Sequence, residues 1–411
     1  MGYTRDVAKG LGWIGFFRFG AKAIVFFKVL VAYRFLSPRE VGLFGLAAIA
    51  LGFLEMLTET GINIVLIRDK KPLTHFIDTA FFVSVARGII ISLILFSSSF
   101  VLPQFFRDPG LFILLIWAAV IPITKGFINP AEASFVKDLK YHKEAFFRLG
   151  LILVDVVSSI LLVYRFHNAL SLIWGMLIAA VAEVISSYVL LRPWPKFSFN
   201  KKIAMEIINP GKWVNLAGVV TFAEQNIDNI IVGRVLGATQ LGYYQTAFNF
   251  TRSAVTEVGT SFSQVLLPIY GRIVGDEHRI RKAVIRVILP AALVMLIPVI
   301  LLNTHIFQEL IIFFLHDKWR PALPLFAFLS LSAWLNGMDI LFSPLFLAKN
   351  HIKELTVIYS IGLVCLITAL LLFTSRFGIT GAATAVLVAK VLIQPFFFWR
   401  AYRMIDLNPR T

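Results

Sequence analysis

The stretch Leu11-Gly12-Trp13-Ile14-Gly15-Phe16-Phe17-Arg18-Phe19-Gly20-Ala21-Lys22-Ala23-Ile24-Val25-Phe26-Phe27-Lys28-Val29-Leu30-Val31 decides the fold of this chain. It is apolar almost throughout. At about 1.5 Å of rise per residue, roughly 20 helical residues cover the ~30 Å hydrocarbon core of a bilayer. Yet it carries Arg18, Lys22 and Lys28. A basic residue at the centre of a membrane helix costs roughly 2.5–3.5 kcal/mol, so three in one span exclude a lipid-facing helix. Arg18 and Lys22 stand four residues apart and share one helical face. That face is expected to look into protein or water and to line a cationic cavity that the rest of the chain encloses. The alternative is that Arg18 and Lys28 snorkel to the two membrane surfaces.

The rest of the chain agrees with a membrane setting. Of its 411 residues 58% are hydrophobic and 15% charged, against ~25% charged in soluble domains. Mean hydropathy is +0.81. The apolar stretches are too long and too continuous for barrel strands, so the expected fold class is an all-α polytopic membrane protein. The net charge of +16 is explained by basic cytoplasmic loops facing anionic lipid, and nucleic acid is not an expected partner. Cys365 is the single cysteine and has no intramolecular partner. There is no phosphate-binding loop of the GxxxxGK[ST] kind, so nucleotide hydrolysis is not expected. His75, His142, His167, His278, His305, His316 and His351 lie in or beside loops, none at metal-ligand spacing, so neither a metal nor a cofactor is expected. No long soluble catalytic domain is present, which argues against an enzyme. Met1 to Lys9 is short and polar, and no signal-peptide cleavage pattern follows it.

Twelve spans are expected, over residues 11–33, 41–67, 79–104, 111–131, 146–166, 168–191, 211–233, 242–267, 284–304, 321–347, 355–374 and 378–400. Basic residues crowd alternate connections: Arg68, Lys70 and Lys71; Lys137, Lys140 and Lys143; Arg192, Lys196, Lys201 and Lys202; Arg279, Arg281 and Lys282. Those connections are expected to be cytoplasmic, and with them both termini. The longest, residues 192–210, reads as a linker between a six-helix lobe over 1–191 and another over 211–411, with Trp194 and Phe197 as headgroup anchors. A second irregular stretch runs from His305 to Pro324. Its apolar run Leu310–Leu315 is too short to span and is placed at the outer interface.

The two halves repeat at an offset of 200 residues. Arg34, Leu36, Gly42 and Ala47 fall on Arg234, Leu236, Gly242 and Ala247 without a gap, and Trp13 falls on Trp213. Both halves start from the same side, so the repeat is parallel, an arrangement that places a substrate site between two lobes around a central cavity. The same offset sets Lys28 over Asp228. They are expected either to face each other as an outer gate or to pair each within its own lobe.

Further charges lie inside the expected spans: Arg87, Lys125, Arg252 and Lys390 among the bases, and Glu55, Glu59, Asp155, Glu183, Glu224, Asp228, Glu257 and Asp339 among the acids. At ~3 kcal/mol each they must pair or line a wet cavity. Glu55 and Glu59 share a face of the second span and are the expected partners of Arg18 and Lys22. Lys390 has no obvious partner nearby in sequence. Arg18, Lys22, Arg252, Arg87 and Lys390 are the candidate cations for an anionic headgroup. Lys28, Asp228, Glu55 and Glu59 are the candidate gating or coupling residues. The alternative is a set of structural ion pairs, favoured for Asp155 and Glu183. Arginine's fork suits phosphate and lysine acts as a point charge. Phe16, Phe17, Trp213, Phe222, Tyr243 and Tyr244 offer faces for sugars.

Gln225-Asn226-Ile227-Asp228-Asn229-Ile230-Ile231-Val232-Gly233-Arg234-Val235-Leu236-Gly237-Ala238, followed by Leu241-Gly242-Tyr243-Tyr244 and Ala247, resembles the seventh-to-eighth span signature of polysaccharide-transport flippases. Leu36-Ser37-Pro38-Arg39-Glu40-Val41-Gly42-Leu43-Phe44-Gly45 resembles their first turn, and Lys318-Trp319-Arg320-Pro321-Ala322 the element before their tenth span. These are the O-antigen and exopolysaccharide repeat-unit flippases of the multidrug/oligosaccharidyl-lipid/polysaccharide superfamily. The resemblance covers almost the whole chain. It implies two six-helix lobes around a cationic cavity in a bacterial inner membrane. It implies as substrate an undecaprenyl-pyrophosphate-linked oligosaccharide moved to the periplasmic leaflet. Membrane lipid, a polysaccharide polymerase and assembly proteins are the implied partners. Two other readings stand beside it: a cation-coupled multidrug or small-molecule exporter of the same superfamily, and a non-transporting scaffold for synthesis enzymes.

Overall fold

The computed structural model describes residues 20–58, 62–68, 71–209, 211–273 and 275–405. Among them all regular structure is helical. The chain divides between Asn226 and Ile227 into two compact units. Unit 1 holds α1 (20–35), α2 (Pro38–Leu57), α3 (Ile62–Arg68), α4 (Ile77–Phe106), α5 (Gly110–Gly126), α6 (Ala133–Lys137), α7 (Tyr141–Phe166), α8 (Leu170–Leu190), α9 (Lys201–Ile208) and the first part of α10 (Gly211–Leu236). Unit 2 holds the remainder of α10, then α11 (Ala238–Ile273), α12 (Glu277–Ala283), α13 (Leu289–Asn303), α14 (His305–Leu315), α15 (Leu325–Ala348) and α16 (Ile352–Ile405). Among the described residues seven helical runs are long and apolar enough to cross a membrane unaided by a neighbour. The protein is an all-α polytopic membrane protein, and among the described residues the expected spans are met by helix, several with shifted ends.

The repeat is visible in the helix boundaries. In unit 1 the turn between α1 and α2 is closed by Ser37, whose hydroxyl accepts from the Glu40 N–H at 3.2 Å. Pro38 opens α2 and Glu40 sits in its first turn, the chemistry a helix N-terminus favours. Two hundred residues on, α10 ends at Leu236 and α11 starts at Ala238. Here Gly237 makes the turn at φ +85°, a conformation glycine adopts without a Cβ penalty. Gly42, Ala47, Gly242 and Ala247, identical at that offset, are all buried. Small side chains at these points let the second helix of each repeat lie close to its neighbours.

Four expected boundaries are corrected. The span expected over 41–67 is two helices, because α2 stops at Leu57. The Thr58 hydroxyl donates to the Leu54 carbonyl at 2.6 Å and Arg87 Nη2 to the Glu55 carbonyl at 2.6 Å. The Leu54 carbonyl also takes the Thr58 backbone N–H at 3.1 Å, and the last carbonyls of a helix are the ones open to such extra donors. The span expected over 111–131 stops at Gly126 and resumes at Pro130 along an axis bent by 65°. Fully buried Asn129 holds the break: its Oδ1 accepts from the Ala131 N–H, its own N–H donates to Ser187 Oγ, and Nδ2 donates to the Pro193 carbonyl. The stretch 192–210 is not an open connection throughout. Asn200 caps α9, and Ala204 and Ile207 are buried with Leu66, Phe76, Ala80 and Val83. The last two expected spans form one helical run, kinked at Gly378.

Glycine sets the helix spacing where α7 meets α8. A Cβ on Gly175 would stand 1.9 Å from Ser159 Oγ and 2.9 Å from Ser159 Cα, whereas one on Gly150 would meet nothing within 4 Å. In unit 2, α11, α13 and α15 meet where Met295 covers Gly337 and Gly259, and the core continues through Leu341, Phe346 and Phe397. Gly175→Ala is expected to destabilise the protein by about 1–3 kcal/mol. Ser159→Ala relieves this only in part, since the backbone of α7 is also in the way. A thermal melt of the detergent-solubilised variants checks this, with Gly150→Ala expected to melt like wild type.

Candidate functional site

Helix ends and one helix break enclose a cavity of about 610 Å³ in unit 1. The end of α2 supplies Glu55, α4 supplies Arg87 and α5 supplies Lys125. The turn after the break supplies Asn129 and Glu132, α7 Glu144 and Arg148, α8 Glu183, and α10 Phe222. Lys125 Nζ pairs with Glu55 Oε1 at 3.0 Å. Arg87 donates to the Glu55 carbonyl and, at 3.3 Å, to Thr58 Oγ1. Arg148 bridges Glu132, at 2.9 Å, and Glu183. The cavity therefore carries four carboxylates against three basic groups. Arg87, one of the candidate cations, lines this mixed-charge cavity.

The expected pairings are redistributed. Lys28, buried on α1, donates to both oxygens of Asp155 on α7 at 2.8 and 2.9 Å, and Ser159 adds a third hydrogen bond to that carboxylate. Both groups of the expected Lys28–Asp228 gate are thus satisfied inside their own units. Glu55, expected to meet Arg18 or Lys22, has Lys125 instead. Lys22 is exposed on α1. Arg18 and Glu59 lie outside the described residues. Removing one member of a buried pair strands the other charge, so Asp155→Ala is expected to cost about 3–5 kcal/mol. The double change Lys28→Met with Asp155→Leu is expected to recover most of it, as read by thermal melting.

In unit 2 two further clusters form. Lys390 on α16, expected to stand without a local partner, pairs with buried Asp339 on α15 at 3.0 Å, and Gln394 Nε2 donates to the other oxygen at 3.0 Å. It is therefore a structural tie before it is a ligand for anything else. Asp228 on α10 is handled differently. Its Oδ2 accepts from Tyr244 Oη at 2.7 Å, and its Oδ1 from the Asn229 backbone N–H and Nδ2 at 2.8 and 3.0 Å. All its donors are formally neutral. Arg252 on α11 lies over the Phe248 ring, 5.3 Å from its centroid. Among the described residues no carboxylate takes an ion pair with it. Arg252 is thus one candidate cation that has no carboxylate partner among the described residues.

Two of the three family-like stretches meet in this unit. Trp319, 1% exposed, packs its ring edge against Tyr243, 6.0 Å between centroids, while the next residue, Tyr244, holds Asp228. Sequence reasoning missed Arg148 and Glu132. Their signal was present in Glu144 and Arg148, four apart on one helical face, but the basic loop before them masked it. Tyr244→Phe removes a donor from a buried carboxylate and is expected to lower stability by about 1–3 kcal/mol. Comparing it with Asp228→Asn in the same melt separates the loss of the hydroxyl from the loss of the charge.

Comparison with known proteins gives concordant results. The model of the family described as polysaccharide biosynthesis protein matches residues 30–324. The succinoglycan biosynthesis transport protein ExoT of Rhizobium meliloti is 21% identical over 330 residues, covering 80% of this chain and 66% of that protein. The lipopolysaccharide biosynthesis protein WzxC of Escherichia coli is 19% identical over 332 residues, covering 79% and 66%. The chain thus spans just under two thirds of the length of these two relatives. Among solved structures, the lipid II flippase MurJ in an inward closed conformation superposes with a TM-score of 0.68 at 14% identity, over 93% of this chain and 87% of that one. An inward-facing multidrug transporter of the MATE family superposes with a TM-score of 0.67 at 12% identity, over 92% and 94%. These two likenesses establish the fold.

Proposed function

Because this chain belongs to the polysaccharide biosynthesis protein family, we propose that it is a flippase for undecaprenyl-pyrophosphate-linked oligosaccharide repeat units. It works by alternating exposure of an anion site to the two sides of a bacterial inner membrane, with both termini in the cytoplasm. It is a transporter rather than an enzyme, and a polymerase and assembly proteins of the same polysaccharide pathway are its proposed partners. The observation that carries this reading is Arg252. A pyrophosphate needs a cation whose charge is not already neutralised, and a guanidinium offers it a bidentate fork. The neutral donors on Asp228 leave Arg252 in that state. Lys22 and Arg18 are proposed as further contacts. Lys390 is a secondary candidate, since Asp339 already engages it.

A second reading has one observation in its favour. The unit 1 cavity carries more carboxylates than basic groups, which is what an exporter of cationic small molecules would require. The two readings separate in proteoliposomes. With a pyrophosphate-linked polyprenyl oligosaccharide as probe, wild type is expected to translocate. Arg252→Ala is expected to lose roughly 10–100-fold, the value of about 1.5–3 kcal/mol for a hydrogen bond to a charged group. Arg252→Lys should keep part of the activity and lose the bidentate contact. Uptake of a cationic dye by wild type without lipid-linked sugar transport would move the assignment to the exporter.

A further inference from the structure

Three carboxylates gather around one guanidinium where α5 breaks. Glu132, in the turn that restarts the chain, accepts from Arg148 Nη2 through Oε2 at 2.9 Å. Glu183 on α8 accepts from Arg148 Nη1. Glu144, one turn before Arg148 on α7, lines the same cavity. The side chains of Glu132 and Glu183 are only 11% and 15% exposed. The second oxygen of Glu132, Oε1, is buried and has no hydrogen-bond partner.

The other charged groups facing this cavity do not supply one. Lys125 on α5 is paired with Glu55 on α2. Arg87 on α4 donates to the end of α2. One positive charge therefore serves three carboxylates, and one carboxylate oxygen has no donor. An ionised carboxylate in that position carries a desolvation cost that a group of this kind relieves by becoming neutral. Among the described residues no group of three or more acidic, histidine or cysteine side chains has a metal-holding arrangement. The cation that fits is a proton.

We propose that Glu132, Arg148 and Glu183 form a proton-binding site in unit 1, with the proton held on Glu132. Binding adds one positive charge to the cavity and leaves the Glu183–Arg148 pair intact. It also exchanges the Glu132–Arg148 ion pair for a weaker, singly charged hydrogen bond. That contact ties the turn after the helix break to α7, so binding the proton loosens the break and releasing it tightens the break. This site lies in the other unit from Asp228 and Arg252, and its occupancy is read without any transported substrate.

Infrared difference spectra of the whole protein in proteoliposomes, acid minus neutral, report the carbonyl stretch of a protonated carboxyl. Wild type is expected to show a carboxyl band that moves in heavy water. Glu132→Gln should lose it and Glu183→Gln should keep it. In Glu132→Asp the band should shift in frequency. A band that survives Glu132→Gln, or is absent from wild type, overturns the proposal, as does an unchanged band in Glu132→Asp. As a second reading, the melting temperature of wild type is expected to vary from about pH 5 to about pH 8, and that dependence should flatten in Glu132→Gln. An unchanged slope overturns the assignment to Glu132. Because neither measurement uses a lipid-linked sugar, failure here and failure of the flippase reading are separate results.

Discussion

A charge carried into hydrocarbon has to be met by a counter-charge or by donors on the same chain, at a cost of roughly 3 kcal/mol for each that is not. The helices of this protein are disposed around that demand. Lys28 joins α1 to α7 through Asp155, Lys125 joins α5 to α2 through Glu55, and Lys390 joins α16 to α15 through Asp339. Arg148 ties α7 to α8 and to the turn after α5. The Lys28 and Lys125 ties connect helices far apart in sequence, and the Lys390 and Arg148 ties hold helices that are neighbours along the chain. Lipid tails are as apolar as the leucines and phenylalanines that cover these helices, so apolar burial alone does little to choose helix neighbours. Breaking a buried ion pair costs several kcal/mol even where the intact pair adds little. The pairs therefore select which helix lies beside which.

Asp228 marks the exception on which the proposed function depends. A carboxylate satisfied by Tyr244 and Asn229 needs no lysine or arginine to neutralise it. Arg252 lies over the Phe248 ring instead of pairing with that carboxylate. The difference between a structural cation and one able to bind an anion is thus decided by the neighbours of its nearest acid. Tyr243 carries the same stretch against Trp319, so the element before α15 and the start of α11 are fixed together around the residues that satisfy Asp228.

Backbone irregularities concentrate around the unit 1 cavity. The carbonyls at the end of α2 are taken by Thr58 and Arg87, and the break after α5 is held by Asn129. In a membrane, backbone that leaves a helix is tolerated where protein groups or a wet cavity receive its hydrogen bonds. Both helix ends meet that condition by facing the same space, where Glu132 and Lys125 also point. Close glycine contacts elsewhere, as at Gly175 against Ser159, hold the unbroken helices near enough for the ion pairs to form.

Much of this was legible in the sequence. Long apolar runs without alternation dictate membrane helices, because length and hydropathy alone meet the thickness of the bilayer. The repeat was readable because helix turns need particular residues at particular places, and Ser37-Pro38 and Gly237 lie at the same point of the two halves. Intramembrane charges announced that pairs or a cavity must exist, since a linear chain cannot hide them. It could not announce partners. Lys390 has no acid within a helical turn of it, and Asp339 lies in another helix. Nor did the apolar run over 41–67 show that α2 ends at Leu57, because the groups that receive its last carbonyls include Arg87, a helix away. The sequence by itself determined the helices, their repeat and the need to neutralise each charge. Only the tertiary structure decided which charges pair with which and where the helices break, because those depend on groups brought within about 3 Å of each other from distant parts of the chain.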